Sequence, residues 1–254
     1  MHKTRQLNFN NYIMKTLIVF LTCLFLGEFS FSQLPGRQQI QSDARLLSTK
    51  ANGYATIQTY NEAAKGSQFY PEVWSKGVLQ TTDNLKYDSG YLFILDKVHQ
   101  QLFVQIIGTS KTLSIDKNQI KEVIINKDGK NHIFGISDNY LKSKERNFCE
   151  ILVDNPNKYS FIKIIITKYI HADNTDFAKM KEGDFRDEFL DNISYYLIKP
   201  DLSFNKILLN EKGIKKAFPK NELVSQYLEL NANASIDENY LINMINSINL
   251  NINK

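Results

Sequence analysis

Three histidines and one cysteine remain once the first 32 residues are set aside: His99, His132, His171 and Cys149. A metal face needs such ligands at helical or knuckle spacing, as in His-x-x-x-His or Cys-x-x-Cys. None of the four stands that close to another, so no metal site is expected. His171 with Asp173 and Asp176 comes nearest, and that grouping fits a polar loop after a strand. The acidic stretch Glu182-Gly183-Asp184-Phe185-Arg186-Asp187-Glu188, with Asp191, lacks the alternating carboxylates and distal Glu of a calcium loop. Lys179, Lys181 and Arg186 lie among those carboxylates and would compete with a cation, which points to a solvated surface.

Nucleophilic chemistry is as poorly supported. A serine elbow would read Gly-x-Ser-x-Gly after a strand, and Gly66-Ser67 and Gly108-Thr109-Ser110 lack the second glycine. Glycine-rich phosphate loops are missing too, so no nucleotide and no other cofactor is expected. Cys149 sits in the apolar run Phe148-Cys149-Glu150-Ile151-Leu152-Val153, where a buried, inert thiol is the expectation. No catalytic residue is assigned. A hydrolase remains open only through carboxylates that converge in three dimensions, with Asp173, Asp176, Asp184 and Asp187 as the candidates.

Aromatic side chains are the remaining resource. Phe69, Tyr70 and Trp74 cluster ahead of the first expected strand, and Tyr87 and Tyr91 flank the first expected turn. Together they could form a surface that stacks on a sugar or seats a partner protein. The competing account is that these rings pack a leader onto the sheet edge.

The elements that must position these rings change character along the chain. Residues 33–66 are polar, with weak helical spacing at Ile40, Ala44 and Leu47 and again at Ile57, Tyr60 and Ala64, and read as a loosely ordered leader. Residues 67–200 read as an antiparallel β domain of short strands with polar turns. Within it, Asp88-Ser89-Gly90 predicts a hairpin between Leu85-Lys86-Tyr87 and Tyr91–Leu95, and Asp128-Gly129 predicts a second, two-residue one. The run from Tyr159 to Ile170 is apolar on both faces, as in a covered central strand. Ile193–Ile198 closes the β part before Pro200.

Beyond Pro200, across 201–254, the apolar period shifts to 3.6. Ile214, Ala217 and Phe218 share one helix face, and Asn221 caps a helix carrying Leu223, Tyr227 and Leu228. Ser235-Ile236-Asp237-Glu238 has capping-box spacing ahead of Leu241, Met244, Ile245 and Ile248. The expected fold class is α+β: a mostly antiparallel sheet or open barrel, with C-terminal helices packed on it.

The first 32 residues carry an address. Met14-Lys15 leads into the apolar run Leu17–Leu26, Gly27 breaks it, and Ser30-Phe31-Ser32 places small residues for cleavage before Gln33. Met14 opens a complete signal by itself, with Met1 as the other candidate start. The run is shorter than the ~20 apolar residues of a stable membrane anchor, so residues 1–32 read as a cleaved signal peptide with no transmembrane anchor left behind. Cys23 lies inside that run, not after a small residue at its end, which argues against a lipid-modified cysteine.

Cleavage would leave 222 residues, enough for one domain, and a single cysteine, so no internal disulfide is expected. It would also remove Lys3, Arg5 and Lys15 against Glu28, leaving 28 basic and 26 acidic residues. That balance excludes the concentrated basic face of a nucleic-acid binder.

The segment Gly66-Ser67-Gln68-Phe69-Tyr70-Pro71-Glu72-Val73-Trp74-Ser75-Lys76-Gly77-Val78, then Leu85-Lys86-Tyr87, Phe148-Cys149-Glu150-Ile151-Leu152 and Tyr195-Tyr196-Leu197, resembles a group of exported Bacteroidota envelope proteins with no assigned activity. The likeness covers roughly residues 66–250 and departs at Asp88, where Asn is expected. It implies location and fold, not chemistry. The leading functional expectation is a non-catalytic periplasmic or secreted module that binds an envelope protein. The alternative is carbohydrate binding or processing through the aromatics around Trp74.

Overall fold

The computed structural model describes residues 44–60, 63–142, 145–172 and 186–251. The export segment, Asp173, Asp176, Glu182 and Asp184 lie outside the described residues. Residues 44–49 are helical, and among the described residues thirteen strands and three α-helices follow. The strands are β1 (Ala51–Tyr54), β2 (Phe69–Ser75), β3 (Gly77–Thr81), β4 (Lys86–Tyr87), β5 (Tyr91–Asp96), β6 (Gln101–Ile106), β7 (Thr112–Ile115), β8 (Ile120–Lys127), β9 (Lys130–Ile136), β10 (Phe148–Val153), β11 (Ser160–Ile170), β12 (Glu188–Ile198) and β13 (Phe204–Ile207). The helices are α1 (Glu211–Ala217), α2 (Glu222–Leu230) and α3 (Glu238–Asn251). The class is α+β, as expected, built on two open antiparallel sheets that do not close into a barrel.

The first sheet has the order β1-β7-β6-β5-β2, and the second β13-β12-β11-β10-β9-β8-β3-β4. One cross-strand row spans the whole second sheet: Tyr87, Leu79, Val123, Phe134, Glu150, Lys163, Tyr195 and Ile207 are successive Cα partners. Side chains of one row share a face, and this row is the sheet's inner face. Its Tyr87-to-Phe134 end packs on the first sheet, where Tyr87 meets Tyr91 and Phe134 meets Tyr70 edge-on at 6.0 and 5.2 Å. The other end packs on the helices. There Phe161, Leu197 and Ile207 form one cluster with Ile214, Val224, Leu241, Met244, Ile245 and Ile248. Burying each such side chain contributes about 1.5–3 kcal/mol.

Local signals explain most elements. Asp128 and Gly129 both have positive φ (52° and 79°), the two-residue turn whose twist suits a hairpin, and β8 pairs with β9 through it. Asn221 accepts a hydrogen bond from Val224 N and caps α2. The cap of α3 is Asp237, which accepts from Tyr240 N at 2.8 Å, in place of the expected Ser235. Glu238 is thereby free to turn toward the sheet. β11 is covered on both faces, with Phe161 in the helix cluster and Ile162 and Ile164 in a separate cluster with Leu141 and Cys149.

Four expectations change. Asp88-Ser89-Gly90 joins no hairpin: β4 belongs to the second sheet and β5 to the first, so the turn passes the chain between sheets. The hairpin partner of β4 is β3. Phe69–Ser75 is itself a strand, and Ala51–Tyr54, within the stretch read as leader, pairs with β7. After Pro200 the β part resumes for one more strand, β13, paired with β12. No helix among the described residues is long and apolar enough to cross a membrane.

Candidate binding groove

β2 begins and ends as an edge strand but leaves the ladder between. Tyr70 partners Leu95 and Ser75 partners Phe93, so five steps along β2 span two along β5. Pro71, which has no N–H to give, sits in the excursion, and Val73 is pushed out to 70% exposure. Bulges of this kind re-aim side chains, here Trp74. One residue later the chain leaves the first sheet for the second, where Lys76 O accepts from Asn126 N at 2.9 Å. Gly77 makes that corner. A Cβ there would stand 2.1 Å from Ile124 O, inside any contact distance, so only glycine lets β3 lie so close to β8.

Trp74, Ser75, Lys76 and Gly77 form one wall of an open groove of about 710 Å³. Its other side is the outer face of the second sheet. Val78 and Ile124 are cross-strand partners, Asn126 lies two residues along β8, and Asn131 is its partner on β9. Val78 and Ile124 are half-buried and apolar, whereas Asp128 and Asn131 are exposed. Asn126 Nδ2 donates to Asn131 Oδ1 at 3.0 Å across the two strands. Lys76 and Asp128 put one charge of each sign on the groove. An aromatic ring beside amides can stack on a ligand face and hydrogen-bond its polar edge. Neither a histidine nor a cysteine lines it.

The five aromatics expected to form one surface do not do so. Tyr87 and Tyr91 are buried, at 4% and 2% exposure, and pack against each other between the sheets. Tyr70 is half-buried, edge-on to Phe134 and to His132 (5.5 Å), with the Lys127 ammonium 5.1 Å from its ring centre. Burial, then the nearby Glu150 and Glu238, push its phenol well above the ordinary range. Phe69 is half-buried at the far end of β2, opposite Asp96. Trp74 alone reaches the groove. Alternation explains Tyr70, Tyr87 and Tyr91, whose rings face the space between the two sheets.

Two polar clusters lie elsewhere. On the inner face Glu150 takes His132 Nδ1 at 2.6 Å and Lys163 Nζ at 2.5 Å, and Lys163 also meets Glu238 at 2.9 Å. Tyr195 donates to Glu238 at 2.9 Å. Burial alone would lower the Lys163 ammonium, yet Glu150 and Glu238 hold it above its ordinary range. In the second cluster Asp96, 1% exposed, accepts from Gln68, from the backbone of Val98 and His99, and pairs with His99 Nδ1 at 2.7 Å. The other ring nitrogen of His99 lies 3.4 Å from the Tyr60 hydroxyl, and Tyr60 stacks on Tyr169 at 4.3 Å. An Asp–His pair of this form could orient a base, but the hydroxyl it meets belongs to the stack that ties the 55–60 segment to β11. The inner-face cluster joins residues far apart in the chain, whereas the core of the second, Asp96 and His99, is a local pair three residues apart whose partners Gln68 and Tyr60 come from elsewhere.

The remaining candidates place as follows. Cys149 is buried, and burial pushes its thiol up to about 12, which suits a structural role. His171 is 3.7 Å from Asp187, and Asp187 also accepts from Ala172 N and the Tyr169 hydroxyl. Asp191 is held by Lys97 and Thr167. Among the described residues no three His, Cys, Asp or Glu side chains gather closely enough to hold a metal ion. Comparison of the chain with protein-family models, with curated proteins and with solved structures gives no match.

Proposed function

We propose that this chain is a non-catalytic, exported binding module of the cell envelope, and that its ligand is carbohydrate held in the Trp74 groove. The export part rests on the Leu17–Leu26 run and the Ser30-Phe31-Ser32 site. The carbohydrate part rests on one observation: a half-buried tryptophan faces cross-strand partnered asparagines over a groove of about 710 Å³. Rings of this kind stack on the C–H face of a pyranose while amides bind its hydroxyls. A protein partner at the same corner is the second reading, supported by Val73, which stands 70% exposed beside Trp74 and would be covered by a docked surface.

The test is retention of the mature chain on immobilised envelope polysaccharide, compared with a pull-down of envelope proteins. Trp74→Ala should abolish retention while leaving the melting temperature nearly unchanged. Retention equal to wild type removes the carbohydrate reading. A Trp74- and Val73-dependent protein captured in stoichiometric amount would replace it with the second.

A further inference from the structure

The geometry points to an N-acetylated amino sugar as the unit that the groove selects. This assignment rests on the groove being the carbohydrate site. The two asparagines on the outer face are already joined, Asn126 Nδ2 donating to Asn131 Oδ1 at 3.0 Å. That bond uses one donor and one acceptor of the pair. A side-chain amide carries two N–H donors and a carbonyl with two lone pairs. What remains is a free carbonyl and one N–H on Asn126, and two N–H donors with one lone pair on Asn131, on neighbouring strands.

An acetamido group presents the complementary set, one N–H and one C=O. Ring hydroxyls can serve the same atoms as donor or acceptor, whereas the acetamido C=O only accepts and so depends on the Asn131 N–H.

The floor supplies the third contact. Next to the asparagines on the same face lie Val78 and Ile124, cross-strand partners that are half-buried and line the groove. They form an apolar patch of about the width of two side chains. A glucose ring would set a C2 hydroxyl over that patch and gain nothing from it. An acetamido methyl would instead leave water for it, at about 0.8 kcal/mol for a fully buried carbon. Lys76 and Asp128 offset each other at the rim, which favours an uncharged ring over a uronate. Trp74 then stacks on the pyranose face, common to all these sugars. The tryptophan thus gives affinity, the asparagine pair holds the acetamido group, and the apolar floor gives selectivity for its methyl.

The discriminating ligands are chitotetraose and cellotetraose. They share the same β-1,4-linked pyranose backbone and differ at C2, acetamido in one and hydroxyl in the other. Titration calorimetry of the full mature chain should find chitotetraose bound roughly tenfold tighter or more, in line with the discrimination one small apolar group gives in a fitted site. Asn131→Asp removes the donor while keeping the acceptor toward Asn126, and Val78→Ser removes half of the floor. Each should bring the ratio of the two affinities toward one, with a melting curve that matches wild type. Equal affinities in the wild-type chain, or tighter cellotetraose, would overturn the acetamido assignment and leave the carbohydrate reading standing. Binding of neither sugar by the folded chain would remove both.

Discussion

The two faces of the β8–β9 hairpin use similar residue types to opposite ends. Asn131 and His132 are adjacent in sequence, yet alternation sends one outward to the Trp74 groove and the other inward to Glu150. On the inner face the charged groups pair with one another: His132 and Lys163 share Glu150, and Lys163 and Tyr195 share Glu238. On the outer face Asn126 and Asn131 have one bond between them and amide groups to spare. A polar cluster that satisfies itself stabilises a fold, and one left half-satisfied at the surface has bonds to offer a ligand. Partner accounting, more than residue type, separates the structural region from the binding one.

The largest expected effect falls on the inner region as a whole. The Lys163 ammonium and the Tyr70 and Tyr195 phenols are all held above their ordinary ranges in the fold, as is the thiol of Cys149, buried on the opposite face of β10. A raised folded-state value means that the protonated form favours folding. That contribution is complete below the unfolded-state value and is lost as pH climbs through the folded one. For Cys149 the window opens near its ordinary 9.0 and extends to about 12, and for the tyrosines it opens near 10.0. The urea midpoint should therefore hold level up to about pH 9 and fall steadily above it. A midpoint still level at pH 11 would show that these groups carry no such strain.

Next in size is the removal of one member of the inner cluster. Lys163→Ala leaves Glu150, whose side chain is 6% exposed, with no lysine, and should cost about 3 kcal/mol in urea unfolding. The lower end of the usual range applies because Glu238 keeps 30% exposure and can rehydrate. Lys163→Met should recover part of the loss by refilling the space. A cost below about 1 kcal/mol for the alanine variant would place the cluster with ordinary surface pairs.

Gly77→Ala joins the two regions, because the corner belongs to both. Its Cβ would meet Ile124 O at 2.1 Å, a backbone atom that cannot swing aside. Separating β3 from β8 should cost about 1–3 kcal/mol and displace Trp74 from the outer face. Glycan retention should fall with stability in this variant, unlike in Trp74→Ala, where only retention falls. Loss of stability with retention intact would detach the groove from the corner.

The legible parts of this fold are those whose signal is local. Asp128-Gly129 demands positive φ at two successive residues and named its hairpin, and Asn221 ahead of an apolar stripe named α2. The 3.6 period of Leu241, Met244, Ile245 and Ile248 named α3, whose four residues are all buried. Illegible parts depend on partners that the local pattern does not specify. Alternation shows that Lys86-Tyr87 and Tyr91–Asp96 are strands but not that they enter different sheets, so a sheet-crossing turn read as a hairpin. Pro71 and the bulge broke the pattern of β2, and with it the clue that Tyr70 faces inward. Tyr87 and Tyr91 looked like a surface pair because a ring's type does not reveal its side of the sheet. Trp74 is legible by its type alone, whereas Asn126 and Asn131, the residues that make its groove polar, carry no such signal. Each is a common loop residue, and their value appears only when the register sets them opposite each other.

The smallest effects give the sharpest contrast, because they come from neighbouring residues. His132→Ala leaves Glu150 Oε1 without its 2.6 Å partner in a nearly buried place, which should cost about 1–3 kcal/mol. Asn131→Ala removes an exposed side chain that holds only Asn126, and its cost in stability should stay within about 0.5 kcal/mol. Binding should show the reverse order: Asn131→Ala weakens retention on acetamido glycans, and His132→Ala, measured where it is still folded, leaves retention near wild type. Unfolding midpoints and retention measured on the two variants form a crossed pair, in which each residue scores in one assay only. If both variants moved the same assay, the two faces would be one coupled unit, and a pattern of satisfied and spare hydrogen bonds would not be enough to tell a binding face from a structural one.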